Sequence, residues 1–212
     1  MPRKPRPLDR DGGVVRDATL IVIASEDTHA VKNYLDLFRA RRVQFRVLPT
    51  VDGQSSPKHL IDRLDEDRKT VDYGEGDEFW ISLDGDRWLR PDRIATLTNL
   101  VQLCRQKQYR VALCSPCFEF WLLLHFVKPV GIDYRQCRSA IDALRQAAGG
   151  YQKQRVDNLG LKVELVHAAI DRARQLEPSD GTAEQDLPEY PVARFHLIVE
   201  SLLQREAIDL RR

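Results

Sequence analysis

The stretch DEFWISLDGD (77–86) joins a short apolar run to an acidic turn. A continuous apolar run of this length is typical of a strand buried on both faces of a parallel sheet. The earlier run ATLIVIAS (18–25) has the same character and is followed by Glu26 and Asp27. Because the carboxyl ends of parallel strands meet at one edge of a sheet, the two acidic groups are expected to lie close together.

Strand-like and helix-like segments alternate over the first 130 residues, which predicts an α/β fold with a mostly parallel sheet flanked by helices. The expected strands are 18–25, 43–51, 77–86 and 109–116. The expected helices in this part of the chain are 27–42, 55–72, 91–108 and 117–127.

The C-terminal part changes character, because amphipathic helices at 133–148 and 161–178 follow one another without a strand between them. A polar loop at 179–191 precedes a last helix at 192–207. The expected domain organisation is a flexible basic arm, an α/β core and a helical C-terminal extension packed on that core, at 1–15, 16–130 and 131–212.

The formal net charge is only +1, which argues against a uniformly basic surface but leaves room for a local positive groove. No apolar run approaches the ~20 residues that a membrane-spanning helix needs. The N-terminus is basic but lacks the apolar stretch of a secretory signal. We therefore expect a cytoplasmic protein without membrane association, with its thiols reduced.

The chain has four cysteines, which are too few for a disulfide framework at this length. Cys114-x-x-Cys117 follows the fourth expected strand, whereas the similar thioredoxin redox motif follows an early one. A zinc site built on this pair would need two more ligands, and the sequence contains no second CxxC and no HxxxH. Cys117 is therefore expected to pack in the core.

Glu26, Asp84 and Asp86 are candidate ligands of a divalent metal ion. Gly85 tolerates unusual backbone angles, so both aspartates can project from one tight turn. Three carboxylates with waters suit Mg²⁺ or Mn²⁺, which neutralises charge on a phosphodiester. Glu26 is also the candidate general base or acid. The alternative is structural, because acidic residues favour turns and helix N-termini for reasons unrelated to metals.

Three further residues have both a functional and a structural interpretation. Glu119 follows the fourth strand, where it would complete the metal shell or form a buried pair with Arg or Lys. His125 is expected to be a core or helix-end histidine, with general acid as the functional alternative. Lys153 would contact a phosphate or belong to a solvated basic loop.

A strand followed by Glu and a later strand followed by Asp-x-Asp resembles the Toprim domain of topoisomerases, primases and related nucleases. The segment CSPCFEFWLLLHF (114–126) resembles the Ser-Asn-Pro-Cys-Phe-Glu-x-Trp-Leu-Leu-Leu-His-Phe type hallmark of RloB-like proteins. The resemblance covers residues 18–127 and continues loosely at Tyr151, Lys153 and the segment from Pro191.

This resemblance implies a Toprim-like (Rossmannoid) fold and a nuclease that depends on Mg²⁺ or Mn²⁺. Its expected role is cleavage of DNA or RNA in defence against phage, beside an ATPase partner. The catalytic residues that it implies are Glu26, Asp84, Asp86 and Glu119. Support or substrate contact is implied for His29, His125 and Lys153.

The sequence departs from the family pattern at two positions: Asp27 stands where the family usually has Gly, and His29 where it has a second acid. A Gly would let a phosphate come close, and imidazole suits a softer metal. These departures favour the alternative of a catalytically inactive or regulatory subunit that binds an ATPase partner or nucleic acid. A phosphotransferase is a third interpretation, against which the lack of a Walker-type loop counts. A homo-oligomer is compatible with each of them.

Overall fold

The computed structural model describes residues 18–27, 29–50, 56–128, 135–177 and 191–211. The predicted basic arm and most of the predicted polar loop lie outside these residues. The strands are β1 (Thr19–Ser25), β2 (Val43–Leu48), β3 (Glu78–Asp84), β4 (Arg110–Ser115) and β5 (Val192–Ala193). The helices are α1 (Ala30–Leu35), α2 (Pro57–Thr70), α3 (Gly85–Trp88), α4 (Ile94–Gln106), α5 (Phe118–Leu123), α6 (Cys137–Ala148), α7 (Val163–Arg174) and α8 (His196–Leu203), with a 3-10 turn at Val156–Leu159.

The strands form one sheet in the order β2-β1-β3-β4-β5, in which β5 alone is antiparallel to its neighbour. The predicted α/β fold with a mostly parallel sheet flanked by helices is therefore confirmed. From β1 the chain proceeds to β2 on one side and then returns to β3 on the other, so the strand order reverses between β1 and β3. Ligands of open α/β sheets bind at the carboxyl ends of the strands beside such a reversal.

The sheet is buried on both faces, as its apolar strands predict. In β1, Ile21 and Ile23 belong to a hydrophobic cluster that also contains α1 and the C-terminal helices. The alternate residues Val22 and Ala24 belong to a second cluster with α2 and α4. The C-terminal helices thus share a core with the sheet.

The predicted helix at 27–42 is too long, because α1 ends at Leu35. The C-terminal segment takes over the backbone hydrogen bonds of the residues that follow. Arg39 N donates to Asp209 O, and Arg211 N donates to Leu37 O. The carboxylate of Glu206 accepts hydrogen bonds from the next backbone N–H groups, those of Arg41, Arg42 and Val43.

The predicted helix at 192–207 is also wrong at its start. Val192 and Ala193 pair with Ser115 and Cys114 instead, which adds β5 to the sheet edge. The helix α8 begins only at His196. A two-residue strand has too little pattern to be distinguished from the first turn of an apolar helix.

Cys117 packs in the hydrophobic core as expected, but the expectation that its thiol is reduced is wrong. Cys117 forms a disulfide with Cys137, across a Cα–Cα distance of 5.4 Å. Cys104 and Cys114 are free and buried. The fold brings together two residues that are 20 positions apart, a proximity that the sequence does not reveal.

Among the described residues, no helix combines the length and the apolar character that crossing a membrane requires.

Candidate acidic site

Glu26 directly follows β1, and its side chain is only 8% exposed. Trp88 Nε1 donates a 2.6 Å hydrogen bond to Glu26 Oε1, and the backbone N–H of Asp84 donates a 3.1 Å hydrogen bond to Oε2. Burial raises the pKa of Glu26 to about 6, although these two hydrogen bonds and the nearby Arg87 oppose the rise. The carboxyl is therefore fixed in position and titrates close to neutral pH.

Asp84 is the last residue of β3 and connects the ends of three strands. Its backbone contacts Glu26, which follows β1, and its Oδ1 accepts a 2.9 Å hydrogen bond from Phe118 N, which follows β4. Burial raises the pKa of Asp84 well above its usual range, and the negative charges of Glu119 and Glu26 raise it further. Asp84 therefore lies in an excess of negative potential.

Asp86 lies in the first turn of α3 and is more exposed than Asp84. Its backbone N–H donates a 2.8 Å hydrogen bond to Pro116 O, which ties the acidic turn to the end of β4. A Cβ on Gly85 would come within 2.7 Å of Ser115 Cβ and 2.9 Å of its Cα. The turn between the two aspartates therefore approaches β4 so closely that only Gly fits without displacement.

Lys153 lies between two of the carboxylates. Its Nζ is 2.8 Å from Asp27 Oδ2 and 3.0 Å from Glu119 Oε1. The Asn33 side chain donates a 3.0 Å hydrogen bond to the backbone carbonyl of Lys153, which anchors the loop to α1. Burial alone would lower the pKa of Lys153, but Glu119 and Asp27 raise it above its usual range. Lys153 is therefore a fixed cation at this edge of the sheet.

Asp27 has a structural role at the start of α1 that the sequence did not indicate. Its Oδ1 accepts hydrogen bonds from the backbone N–H groups of His29 and Ala30, so it satisfies donors at the start of α1. Burial opposes ionisation, but Lys153 and these N–H groups lower the pKa of Asp27. Asp27 is therefore ionised and already paired.

Glu119 lies in the first turn of α5 and is fully buried. Its Oε1 accepts a 3.2 Å hydrogen bond from the Tyr151 hydroxyl and pairs with Lys153. Its Oε2 lies 3.7 Å from Cys137 Sγ. The predicted alternative of a buried carboxylate that pairs with a lysine is what the structure shows for Glu119.

The two candidate histidines lie in different surroundings. His29 is exposed, at the residue before α1. His125 is fully buried, where Nε2 is 3.1 Å from the Tyr34 hydroxyl and Nδ1 is 3.1 Å from the backbone carbonyl of Trp121. Burial lowers the pKa of His125 to about 4. Its hydrogen bonds therefore lead into the hydrophobic core rather than to the acidic residues.

The fold brings Glu26, Asp84 and Glu119 to one edge of the sheet, at the reversal between β1 and β3. Within the described ranges, the group whose possible ligand atoms all lie within 4.8 Å of one another is Cys117, Glu119 and Cys137. The carboxylates of Glu26, Asp84 and Asp86 do not form such a group in this structure.

A model of the family described as RloB-like protein matches residues 21–202. The chain belongs to the RloB-like family. The matched region includes every residue of the acidic site, from Glu26 to Lys153. No curated protein and no solved structure matched the chain significantly.

For this RloB-like chain, the sequence indicated the acids and Lys153 as candidate residues but not that Lys153 pairs with Asp27 and Glu119. Lys153 and Tyr151 lie in the loop after α6, and nothing local indicates that the loop returns to the sheet edge. The order Tyr-x-Lys was the only signal, as a loose family feature. The bond between Cys117 and Cys137 had no signal in their spacing.

Proposed function

We propose that this protein is a Toprim-like nuclease that depends on Mg²⁺ or Mn²⁺ and cleaves phosphodiester bonds of DNA or RNA. We further propose that it acts in the cytoplasm in defence against phage, beside an ATPase partner. Membership of the RloB-like family supports this proposal, as does the arrangement of acids at the ends of neighbouring strands.

The observation that carries the proposal is the position of Asp84 between Glu26 and Glu119. Burial and the two neighbouring charges raise the pKa of Asp84, and the pKa of Glu26 is raised as well. Perturbed carboxyl groups in a ligand-binding position of the fold are typical of functional sites. A divalent cation would relieve this repulsion.

The donor set fits a hard cation, because the oxygens of Glu26, Asp84 and Asp86 are the ligand type that Mg²⁺ and Mn²⁺ prefer. When bound, such an ion neutralises charge on a phosphodiester and makes bound water more acidic. Asp84 and Asp86 would hold the ion from one turn, fixed to β4 by the hydrogen bond from Asp86 N to Pro116 O.

The chain's own residues supply positioning and proton transfer. Without an ion the pKa of Glu26 is raised to about 6, so the carboxyl is suited to accept or donate a proton near neutral pH when it does not itself bind the ion. Trp88 and the backbone of Asp84 hold its two oxygens in place. Lys153 is 42% exposed, so its ammonium can contact a phosphate from the solvent side while it pairs with Glu119.

Metal-dependent cleavage of single-stranded DNA, double-stranded DNA and transfer RNA tests the proposal. Wild type should cleave at least one substrate with Mg²⁺ or Mn²⁺ and none with EDTA. Asp84→Asn should lose at least about a hundredfold in rate, because the metal contributes several kcal/mol to transition-state stabilisation. Asp171→Asn makes the same change at an exposed position on α7 and should keep the activity. Equal cleavage by wild type and Asp84→Asn would contradict the proposal.

The second candidate is a non-catalytic subunit that binds nucleic acid or an ATPase partner. The specific observation in its favour is Lys153, which already neutralises part of the acidic edge through Asp27 and Glu119. Nucleic-acid binding that persists in Asp84→Asn, without cleavage by either protein, would select this candidate.

A further inference from the structure

Cys117, Glu119 and Cys137 place two sulfur atoms and one carboxylate oxygen within 4.8 Å of one another. Cys117 immediately precedes α5, and Cys137 is the first residue of α6. Cys117 and Glu119 are fully buried, whereas Cys137 is partly exposed and gives access from solvent. The two sulfur atoms are bonded to each other, so they must move apart after reduction before an ion with ligand bonds of about 2.0–2.3 Å can lie between them.

The carboxylate of Glu119 is oriented toward the sulfur atoms by its other partners. Tyr151 and Lys153 both bind Oε1, which leaves Oε2 facing Cys137 Sγ at 3.7 Å. Hydrogen bonds to the outer oxygen of a ligand are the usual way in which proteins fix a metal-binding carboxylate. Tyr151 and Lys153 therefore already hold Glu119 in the orientation that a metal ligand would need.

We propose that reduction of the disulfide converts Cys117, Cys137 and Glu119 into a binding site for a thiolate-preferring divalent ion such as Zn²⁺. Two thiolates and one carboxylate are zinc ligands, and a fourth position stays open to water. The ion and Lys153 offset most of the negative charge of these ligands and of Asp27, with which Lys153 also pairs. This site differs from the one proposed at Glu26, Asp84 and Asp86, where all ligand atoms are oxygens and therefore suit Mg²⁺.

The disulfide and the ion exclude each other. Reduction by a dithiol transfers two electrons and two protons to the sulfur atoms of Cys117 and Cys137, and the dithiol leaves as its own disulfide. Binding of the ion then releases both thiol protons. In the proposed cytoplasmic location, where disulfides are mostly transient, the reduced form is the relevant one. The site shares Glu119 and Lys153 with the acidic site, and its reduced state rests on the proposed cytoplasmic location. Binding of the ion needs no nucleic acid, so a test with the metal alone is independent of whether the protein is a nuclease.

Cobalt binding tests the site, because thiolate ligands give Co²⁺ a charge-transfer absorption band that oxygen ligands do not. The full chain is reduced with dithiothreitol, freed of it by gel filtration without oxygen, and titrated with Co²⁺. The oxidised full chain is titrated in parallel. We expect one Co²⁺ per reduced chain with the thiolate band, none of that band in the oxidised chain, displacement by Zn²⁺, and no displacement by excess Mg²⁺.

Two cysteine variants assign the ligands. Cys137→Ser should weaken Co²⁺ binding by at least about tenfold, since even loss of a group that only orients a ligand has that effect. Cys104→Ser is the matched control, because Cys104 is buried in the hydrophobic cluster on the opposite face of the sheet and should leave binding unchanged. If Cys137→Ser does not fold, the comparison of reduced with oxidised wild type decides. Absence of the band in reduced wild type, or wild-type binding by a folded Cys137→Ser, would overturn the proposal.

Discussion

The carboxylates at the carboxyl ends of β1, β3 and β4 form two groups that differ in how their negative charge is compensated. On the Asp84 side (Glu26, Asp84, Asp86) the pKa values of the carboxyl groups are raised mainly by burial and further by neighbouring carboxylates, including Glu119 of the other side. On the Lys153 side (Asp27, Glu119, Lys153) one ammonium lies within 3.0 Å of both carboxylates, and the pKa of Asp27 is lowered. A carboxylate is thus structural where an ammonium within 3.0 Å neutralises it, and a candidate ligand where the nearby Arg87, 4.0 Å from Glu26, and Lys153 do not offset burial.

The largest expected effect on stability comes from the Lys153 side. Lys153→Met keeps the aliphatic stem but leaves the buried Glu119 without its ion pair. Breaking a fully buried pair costs about 3–5 kcal/mol. Because Lys153 is 42% exposed and solvent screens part of the charge, we expect a loss of about 2–3 kcal/mol.

Chemical denaturation measures this loss, with Lys32→Met as the control. Lys32 pairs with Asp36 on the surface of α1, where both side chains are about half exposed, so its change should stay within about 0.5 kcal/mol. Equal effects of the two substitutions would show that Lys153 is not a structural cation.

The second largest expected loss of stability comes from the close approach of Gly85 to β4. Gly85→Ala places a Cβ 2.7 Å from Ser115 Cβ, so the turn must shift and we expect a loss of about 1–2 kcal/mol. Gly76→Ala is the control, because its Cβ would meet Thr19 Oγ1 at an ordinary 3.7 Å. Thermal unfolding of both variants gives the comparison, and a fully stable Gly85→Ala would contradict the packing described here.

The third prediction is a gain in stability rather than a loss. Asp84→Asn keeps an acceptor for Phe118 N but removes the repulsion from Glu26 and Glu119, so without metal the variant should be more stable than wild type. The expected gain is about 1 kcal/mol, a rise in Tm of roughly 2–4 °C for a chain of this size. Such a gain together with lost activity is typical of a functional residue.

The pH dependence of this gain follows from linkage. An acid whose pKa is raised by folding makes the folded state bind more protons than the unfolded chain, so its destabilising effect grows as pH rises through the raised pKa. Melting curves in EDTA should therefore show a larger advantage of Asp84→Asn at about pH 8 than at about pH 5. A larger advantage at the lower pH would contradict the assignment of a raised pKa to Asp84.

The smallest expected effect is on one carboxyl group. Trp88→Phe removes the hydrogen bond to Glu26 Oε1 and should raise the pKa of Glu26 further above about 6, as followed by carbon NMR of the glutamate side chains. Trp80→Phe removes the analogous hydrogen bond to Glu78 and should leave the titration of Glu26 unchanged. An identical shift in the pKa of Glu26 in both variants would mean that the hydrogen bond from Trp88 does not set that pKa.

Sequence pattern was sufficient for the parts of the site that follow directly from strand order. Glu26, Asp84 and Glu119 each end or follow an apolar strand, so their common edge could be predicted from the parallel fold. The pairing partners of these acids could not be predicted. Lys153 contacts Asp27 although the two residues are 126 positions apart in the sequence, because the loop after α6 folds back onto the sheet edge. The disulfide was missed for the same reason, since its formation depends on the distance between α5 and α6.

Titration calorimetry of Mg²⁺ and Mn²⁺ is the most direct test of the claim that the Asp84 side holds a divalent cation. Wild type, Asp84→Asn and the exposed control Asp171→Asn are titrated under identical conditions. We predict binding by wild type and by Asp171→Asn, and its loss in Asp84→Asn. Wild-type affinity in Asp84→Asn, or no binding by any of the three proteins, would contradict the claim.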